Sequence, residues 1–271
     1  MRSGDLAMDE AIPPPLIATR DDAGVLRLQL NRPRARNAIN WALRRELLRV
    51  LRETALDPDV RAVVIAGDEQ AFCAGGDVKE MGNGVADTSA KLVLAKAIVE
   101  AITGMPQPVV AEVRGFASGA GFGLALACDL VLVDETAVFQ SVFVTRGLVP
   151  DLGTSYLLTR AVGVHRAKEI ILTGRDVPAA EAVALGIAAR MWPAAEFRQG
   201  VDAIVAALAA SSATAIGLSK RLVDGAPGWD LATAMDHERL SQLVAAGSDE
   251  HRAYLDAVKA GAGAGLRHRP D

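Results

Sequence analysis

Apolar and polar positions change their period along the chain. Residues 25–30 (VLRLQL) alternate, as in a half-buried strand, and Asn31-Arg32-Pro33 ends them. Leu43, Leu47, Leu48 and Leu51 then recur at helical spacing behind Asn40, a side chain suited to an N-cap; this predicts a helix from Asn40 to about Glu53. Residues 61–67 read as a short apolar strand closed by glycine, 68–83 as a loop and 90–102 as a helix. Two further strands are expected at 107–113 and 130–133. Strands alternating with helices imply parallel pairing through right-handed crossovers.

Beyond about Thr154 the period becomes helical. Helices are expected at 161–172, 178–185, 197–208, 213–222, 231–245 and 249–259, with a short strand at 187–191. The fold class is therefore α/β. A core over residues 16–195 is followed by a helical part over 196–260. Pro13-Pro14-Pro15 reads as the end of a flexible leader, 1–15, and the Gly-Ala run opens a flexible tail, 261–271.

Composition narrows the function classes. The chain has 271 residues, 51% hydrophobic and 23% charged, with a formal net charge of -4. That balance fits a globular domain and argues against nucleic acid as a partner, since no basic stripe with interleaved aromatics is present. His165, His237, His251 and His268 have no ligand spacing, so no metal is expected. Cys73 and Cys128 form no disulfide framework, residues 1–10 lack the apolar core of a secretory signal, and no apolar run reaches the ~20 residues of a membrane span. A cytoplasmic protein without a membrane partner is the expectation.

The candidate chemistry lies in two glycine-rich turns. Residues 71–77 (AFCAGGD) follow one strand, and 115–123 (GFASGAGFG) open an apolar, helix-compatible run. Such turns aim free backbone N–H groups at whatever lies in front. Two converging N–H groups would form an oxyanion hole for a carbonyl oxygen. Neither turn matches a dinucleotide or P-loop fingerprint. No side chain from Gly115 to Cys128 ionises at neutral pH, so any proton-handling group lies elsewhere.

Taken together, residues 31–38 (NRPRARNA), 71–81 (AFCAGGDVKEM), 115–129, 147–153 (GLVPDLG), 158–163 (LTRAVG) and 172–174 (LTG) resemble the crotonase superfamily, the enoyl-CoA hydratase/isomerase family. The resemblance spans about residues 16–260. It implies a ββα spiral core, a helical C-terminal trimerisation region, and a homotrimer or dimer of trimers. The implied ligand is an acyl-CoA thioester, with coenzyme A as part of the substrate and no tightly bound cofactor. It assigns the oxyanion hole to the N–H groups of Gly76 and Ala120, where Ala120 replaces the usual glycine. It also places Arg32, Arg34, Ala35 and Lys79 at the CoA adenine and phosphates. Ala74, Asp77, Gly121, Phe143 and Leu148 fall at substrate-binding positions.

The family's hydratases add water with two glutamates, and the matching positions here hold Gly123 and Phe143. One acid remains, Asp151, where some family isomerases carry a single acid/base. The expected activity is therefore double-bond isomerisation of an enoyl-CoA, with Asp151 moving the proton. A carboxyl among Phe139, Phe143 and Leu148 is expected to have a raised pKa. The alternatives are a thioester-binding homologue without catalysis, a hydratase, or a dehalogenase-like hydrolase. The last needs a histidine near 90–104, and none precedes His165. Phe139, Phe143, Val144, Leu148 and residues 82–95 are expected to line the acyl site. Glu80 reads as a surface residue, Glu112 as a buried structural partner and Ser118 as packing. Ser155 or Tyr156 could orient the acid.

Overall fold

A computed structural model describes residues 13–260; the leader before Pro13 and the 261–271 tail lie outside the described residues. In chain order the elements begin with strands β1 (Leu16–Arg20) and β2 (Val25–Leu30), helix α1 (Trp41–Thr54), β3 (Ala62–Ala66) and β4 (Ala71–Cys73). Helix α2 (Val85–Gly104), β5 (Val109–Val113), β6 (Phe116–Ser118), α3 (Ala120–Ala127), β7 (Leu130–Asp134) and β8 (Val138–Gln140) follow. Next come α4 (Thr154–Val162), α5 (Val164–Thr173), β9 (Asp176–Pro178), α6 (Ala179–Leu185) and β10 (Arg190–Trp192). The chain ends in α7 (Ala194–Ala210), α8 (Ala213–Gly225), α9 (Leu231–Ala246) and α10 (Asp249–Lys259).

Two sheets result. The larger runs β1-β2-β3-β5-β7-β10 and the smaller β4-β6-β8-β9. Only β1–β2 and β8–β9 pair antiparallel; the other pairs are parallel, as the alternation of strands and helices predicts. The small sheet is absent from the sequence reading: β4 falls inside the expected loop, and β6 is the middle of the second glycine turn. Its strands are three residues long, too short to show a period.

The central strands β3 and β5 bury both faces, so their apolar runs are continuous rather than alternating. One face packs on α1, α2 and α3 through Leu43, Leu47, Leu51, Ile98, Phe122 and their neighbours. The other packs on α7 through Phe197, Val201 and Val205, which meet Val64, Val110 and Leu132. Asn40 caps α1 by accepting from the Leu43 N–H at 2.9 Å. The expected helix near 161–172 is two helices, broken at Gly163, where φ is 79°. Helices α9 and α10 bury none of their residues, and Met235, Leu243, Val244 and Tyr254 stand exposed on them. No single helix among the described residues is long and apolar enough to cross a membrane.

Candidate active site

The small sheet brings the two glycine turns together. A Cβ at Gly75 would stand 2.8 Å from the Ser118 carbonyl oxygen and 3.5 Å from the Ala120 nitrogen. Glycine at 75 (φ 97°) is therefore the condition for the two turns to touch. Gly119 holds φ 52° and ψ -118°, a conformation open only to glycine, and turns β6 into α3. Ala120 is the first residue of that helix, where an N–H has no intrahelical acceptor. Among the described residues neither the Gly76 nor the Ala120 N–H donates to a backbone carbonyl outside regular elements. Both residues line a cavity of about 370 Å3.

Asp151 lines the same cavity. Its backbone is held from behind: the Thr154 N–H and Oγ1 donate to the Asp151 carbonyl at 2.9 and 2.7 Å. Leu152 and Gly153 then take left-handed conformations (φ 45° and 72°) that start α4. The carboxyl Oδ1 is buried without a hydrogen-bond partner. Burial pushes the Asp151 carboxyl above its ordinary range, against the opposing pull of Arg44.

Ala74, Asp77, Phe143 and Leu148 also border the cavity, with Met81, Leu92, Val142 and Val149 adding apolar surface. Asp77 accepts from Arg32 Nη2 at 2.7 Å and from the Lys79 N–H at 3.0 Å. Burial opposes ionisation of Asp77, but the Arg32 and Lys79 bonds outweigh it and hold the carboxyl below its ordinary range. Arg32 also donates to the Ala38 carbonyl, so its guanidinium is engaged within the turn. Arg34 and Lys79 are exposed, and Ala35 is half-buried in the 3-10 turn Pro33–Ala35; none of the three borders the cavity. Gly121 lies behind the wall: a Cβ there would stand 2.2 Å from the Cys73 carbonyl oxygen.

Several expectations change. Phe139 does not reach the cavity; it is fully buried and packs in the core against Phe122, with ring centroids 5.1 Å apart and planes tilted by 45°. Val144 is not in the wall, and only Gly82, Thr88, Lys91 and Leu92 of residues 82–95 are. Glu80 is a wall residue rather than a surface one, and its Oε2 accepts from the Trp41 N–H at the start of α1. Tyr156 points outward against Arg160. Glu112 is buried and paired with Arg27 and Arg198, as its place in β5 suggests. Ser118 Oγ donates to Gln140 Oε1 and has no adjacent base. Cys73 is buried, and burial pushes its thiol up to about 12.

The positions matching the hydratase acids are occupied differently. Gly123 is closed in: a Cβ would meet Thr154 Oγ1 at 2.6 Å and Leu152 Cβ at 2.8 Å. Phe143 puts an aromatic ring beside Gly119. Two arginines of the wall, Arg146 and Arg44, have no place in the sequence reading; Arg146 is exposed. Arg44, on α1, is only 7% exposed and faces the cavity. The signal was present, because 44 stands one helical turn before Leu47 and Leu48 and so on the buried face. Among the described residues no three His, Cys, Asp or Glu converge to hold a metal.

Comparison with known proteins agrees with this architecture. A family described as enoyl-CoA hydratase/isomerase matches residues 20–252. A protein named probable enoyl-CoA hydratase from Rhizobium meliloti (strain 1021) is 37% identical over 254 residues, covering 94% of this chain and 98% of the relative. The crystal structure of an enoyl-CoA hydratase from Bacillus anthracis superposes with a TM-score of 0.87 at 29% identity, covering 91% of this chain and 96% of that one. That of a probable enoyl-CoA hydratase/isomerase from Mycobacterium abscessus gives 0.81 at 33% identity over the same shares. With a mixed α/β fold of parallel sheets like theirs, this chain belongs to the enoyl-CoA hydratase/isomerase family of the crotonase superfamily.

Proposed function

We propose that this enzyme moves the double bond of an enoyl-CoA from the β,γ to the α,β position, with Asp151 as its single acid/base. One observation carries the reading. Gly76, Ala120 and Asp151 line one cavity, while neither position matching a hydratase acid, Gly123 or Phe143, has an ionisable side chain. The thioester oxygen accepts from the Gly76 and Ala120 N–H groups. Negative charge developing on it is stabilised by roughly 2.7–4 kcal/mol per donor. The Asp151 carboxylate removes a proton from the α-carbon; the electron pair enters the enolate, and the β,γ bond becomes conjugated with it. Asp151, now protonated, returns the proton to the γ-carbon as the α,β double bond forms. A raised carboxyl pKa brings the base closer to the carbon acid it must deprotonate.

Arg34 and Lys79, exposed outside the cavity, are suited to the CoA phosphates, with Arg32 and Ala35 beside them. The exposed apolar residues of α9 and α10 support assembly as a trimer or dimer of trimers. Incubation with a 3-enoyl-CoA followed by mass spectrometry and ultraviolet absorbance tests the activity. Isomerisation leaves the mass unchanged and creates the conjugated thioester chromophore. A gain of one water as the first product would assign the chain to the hydratases whose name its relatives carry. No turnover together with tight CoA binding would leave a thioester-binding protein.

A further inference from the structure

Arg44 shares the cavity with Asp151 and has no part in the proton transfer just described. Its Nε is buried without a hydrogen-bond partner. Among the described residues no carboxylate forms an ion pair with it, although Asp77, Glu80 and Asp151 line the same cavity. Glu80 Oε2 is taken by the Trp41 N–H at 2.9 Å. Asp87 accepts from Lys91 Nζ at 2.6 Å and from Trp41 Nε1 at 3.1 Å. Asp151 faces Arg44 across the cavity without closing on it. Buried guanidinium donors left unpaired are costly, and an arginine does not shed its charge to escape that cost. The group is also well placed for a ligand: Nη2 lies 3.9 Å from where a Cβ on Gly76 would stand, beside one of the two oxyanion donors.

We infer that Arg44 receives a carboxylate carried on the acyl group, so that the substrate is a short dicarboxylic acyl-CoA rather than an unsubstituted fatty acyl-CoA. The inference rests on the acyl-CoA reading above. A guanidinium presents parallel N–H groups that a carboxylate can accept as a pair. Its closeness to Gly76 sets that carboxylate only a few bonds from the thioester carbonyl. Met81, Leu92, Phe143, Leu148 and Val149 make the rest of the wall largely apolar; of its other two cations, Lys91 donates to the Glu80 carbonyl and Asp87, and Arg146 is exposed, so Arg44 is the buried one.

Calorimetric titration of the full chain with CoA, pentanoyl-CoA and glutaryl-CoA tests this without depending on the reaction, because all three are inert to isomerisation. The expected result is glutaryl-CoA binding about tenfold or more tighter than pentanoyl-CoA, the scale of one charge-assisted hydrogen bond. In Arg44→Met that gap closes, and in Arg44→Lys part of it remains, with pentanoyl-CoA affinity reporting that each variant is folded. Equal affinity of the two thioesters for the wild type overturns the inference, as does a preference that survives in Arg44→Met. If pentanoyl-CoA binds and glutaryl-CoA is not favoured, only the dicarboxylic assignment falls. If neither thioester nor CoA binds, the acyl-CoA reading falls and takes the assignment with it.

Discussion

A side chain on Gly123 would put its Cβ 2.6 Å from the hydroxyl of Thr154, the same hydroxyl that donates to the Asp151 carbonyl at 2.7 Å. The position of the missing hydratase acid is therefore packed against the support of the remaining one. Gly123→Ala should cost about 1–3 kcal/mol of stability by overpacking. It should also lower kcat more than it raises KM, since displacing Thr154 or Leu152 moves Asp151. Denaturant melts and steady-state kinetics measure both; a fully stable, fully active variant contradicts the packing. Gly123→Glu should not create a hydratase.

Asp151→Asn should abolish double-bond migration while CoA affinity stays within about twofold. Because burial raises the Asp151 pKa, the acid limb of the kcat/KM profile should lie above the ordinary carboxylate value of about 3.9, with activity rising as the base form appears. Stability has the opposite sign. Between the unfolded and folded pKa values the folded chain holds the extra proton, so stability falls as pH rises through that window. Asp151→Asn should consequently melt higher than the wild type at neutral pH and no higher at pH 3. A lower melting temperature at both would contradict the burial of the carboxyl.

Ala120→Pro removes one proposed oxyanion donor at a helical position that tolerates proline. Turnover should fall about 10²–10³-fold, with the far-ultraviolet circular dichroism spectrum unchanged. Retained activity in this variant would remove Ala120 from the hole.

Arg32→Ala should destabilise the chain by roughly 1.5–3 kcal/mol, because it strips the partner from a nearly buried Asp77. Asp77 is held below its ordinary pKa, so its contribution is present above about pH 4 and is lost as pH falls through the folded value. The wild-type and Arg32→Ala melting curves should converge on acidification. If Arg32 also meets CoA, its loss should weaken CoA binding by more than the melt explains.

Elements longer than one period were legible in the sequence. The alternation of β2, the Asn40 cap and leucine stripe of α1, and the polar-apolar spacing of α10 all predict what forms. Strand β1 was not legible, because it buries only Leu16 and its other four residues face outward at the sheet edge. The four short strands of the small sheet were not either, since their pairing partners are supplied by distant turns. Within the site, Gly76, Ala120 and Asp151 could be singled out by resemblance, and the cavity brings them together. Arg44 was hidden because an arginine in a helix reads as a solvated side chain. Its burial depends on a cavity that β4, β6 and the loop before α4 create only on folding.

The closeness of Gly75 to Ser118 has a consequence for how new chemistry could arise on this scaffold. In the proposed reaction the device that holds the electrophile is the seam between the two glycine turns, set by backbone packing of Gly75 on Ser118. The proposed proton carrier, Asp151, hangs on a separate loop, residues 147–153, anchored by Thr154. The two can vary independently: exchanging that loop would install a different proton carrier over an unchanged seam. A handful of residues would thereby redirect one enolate toward a different product.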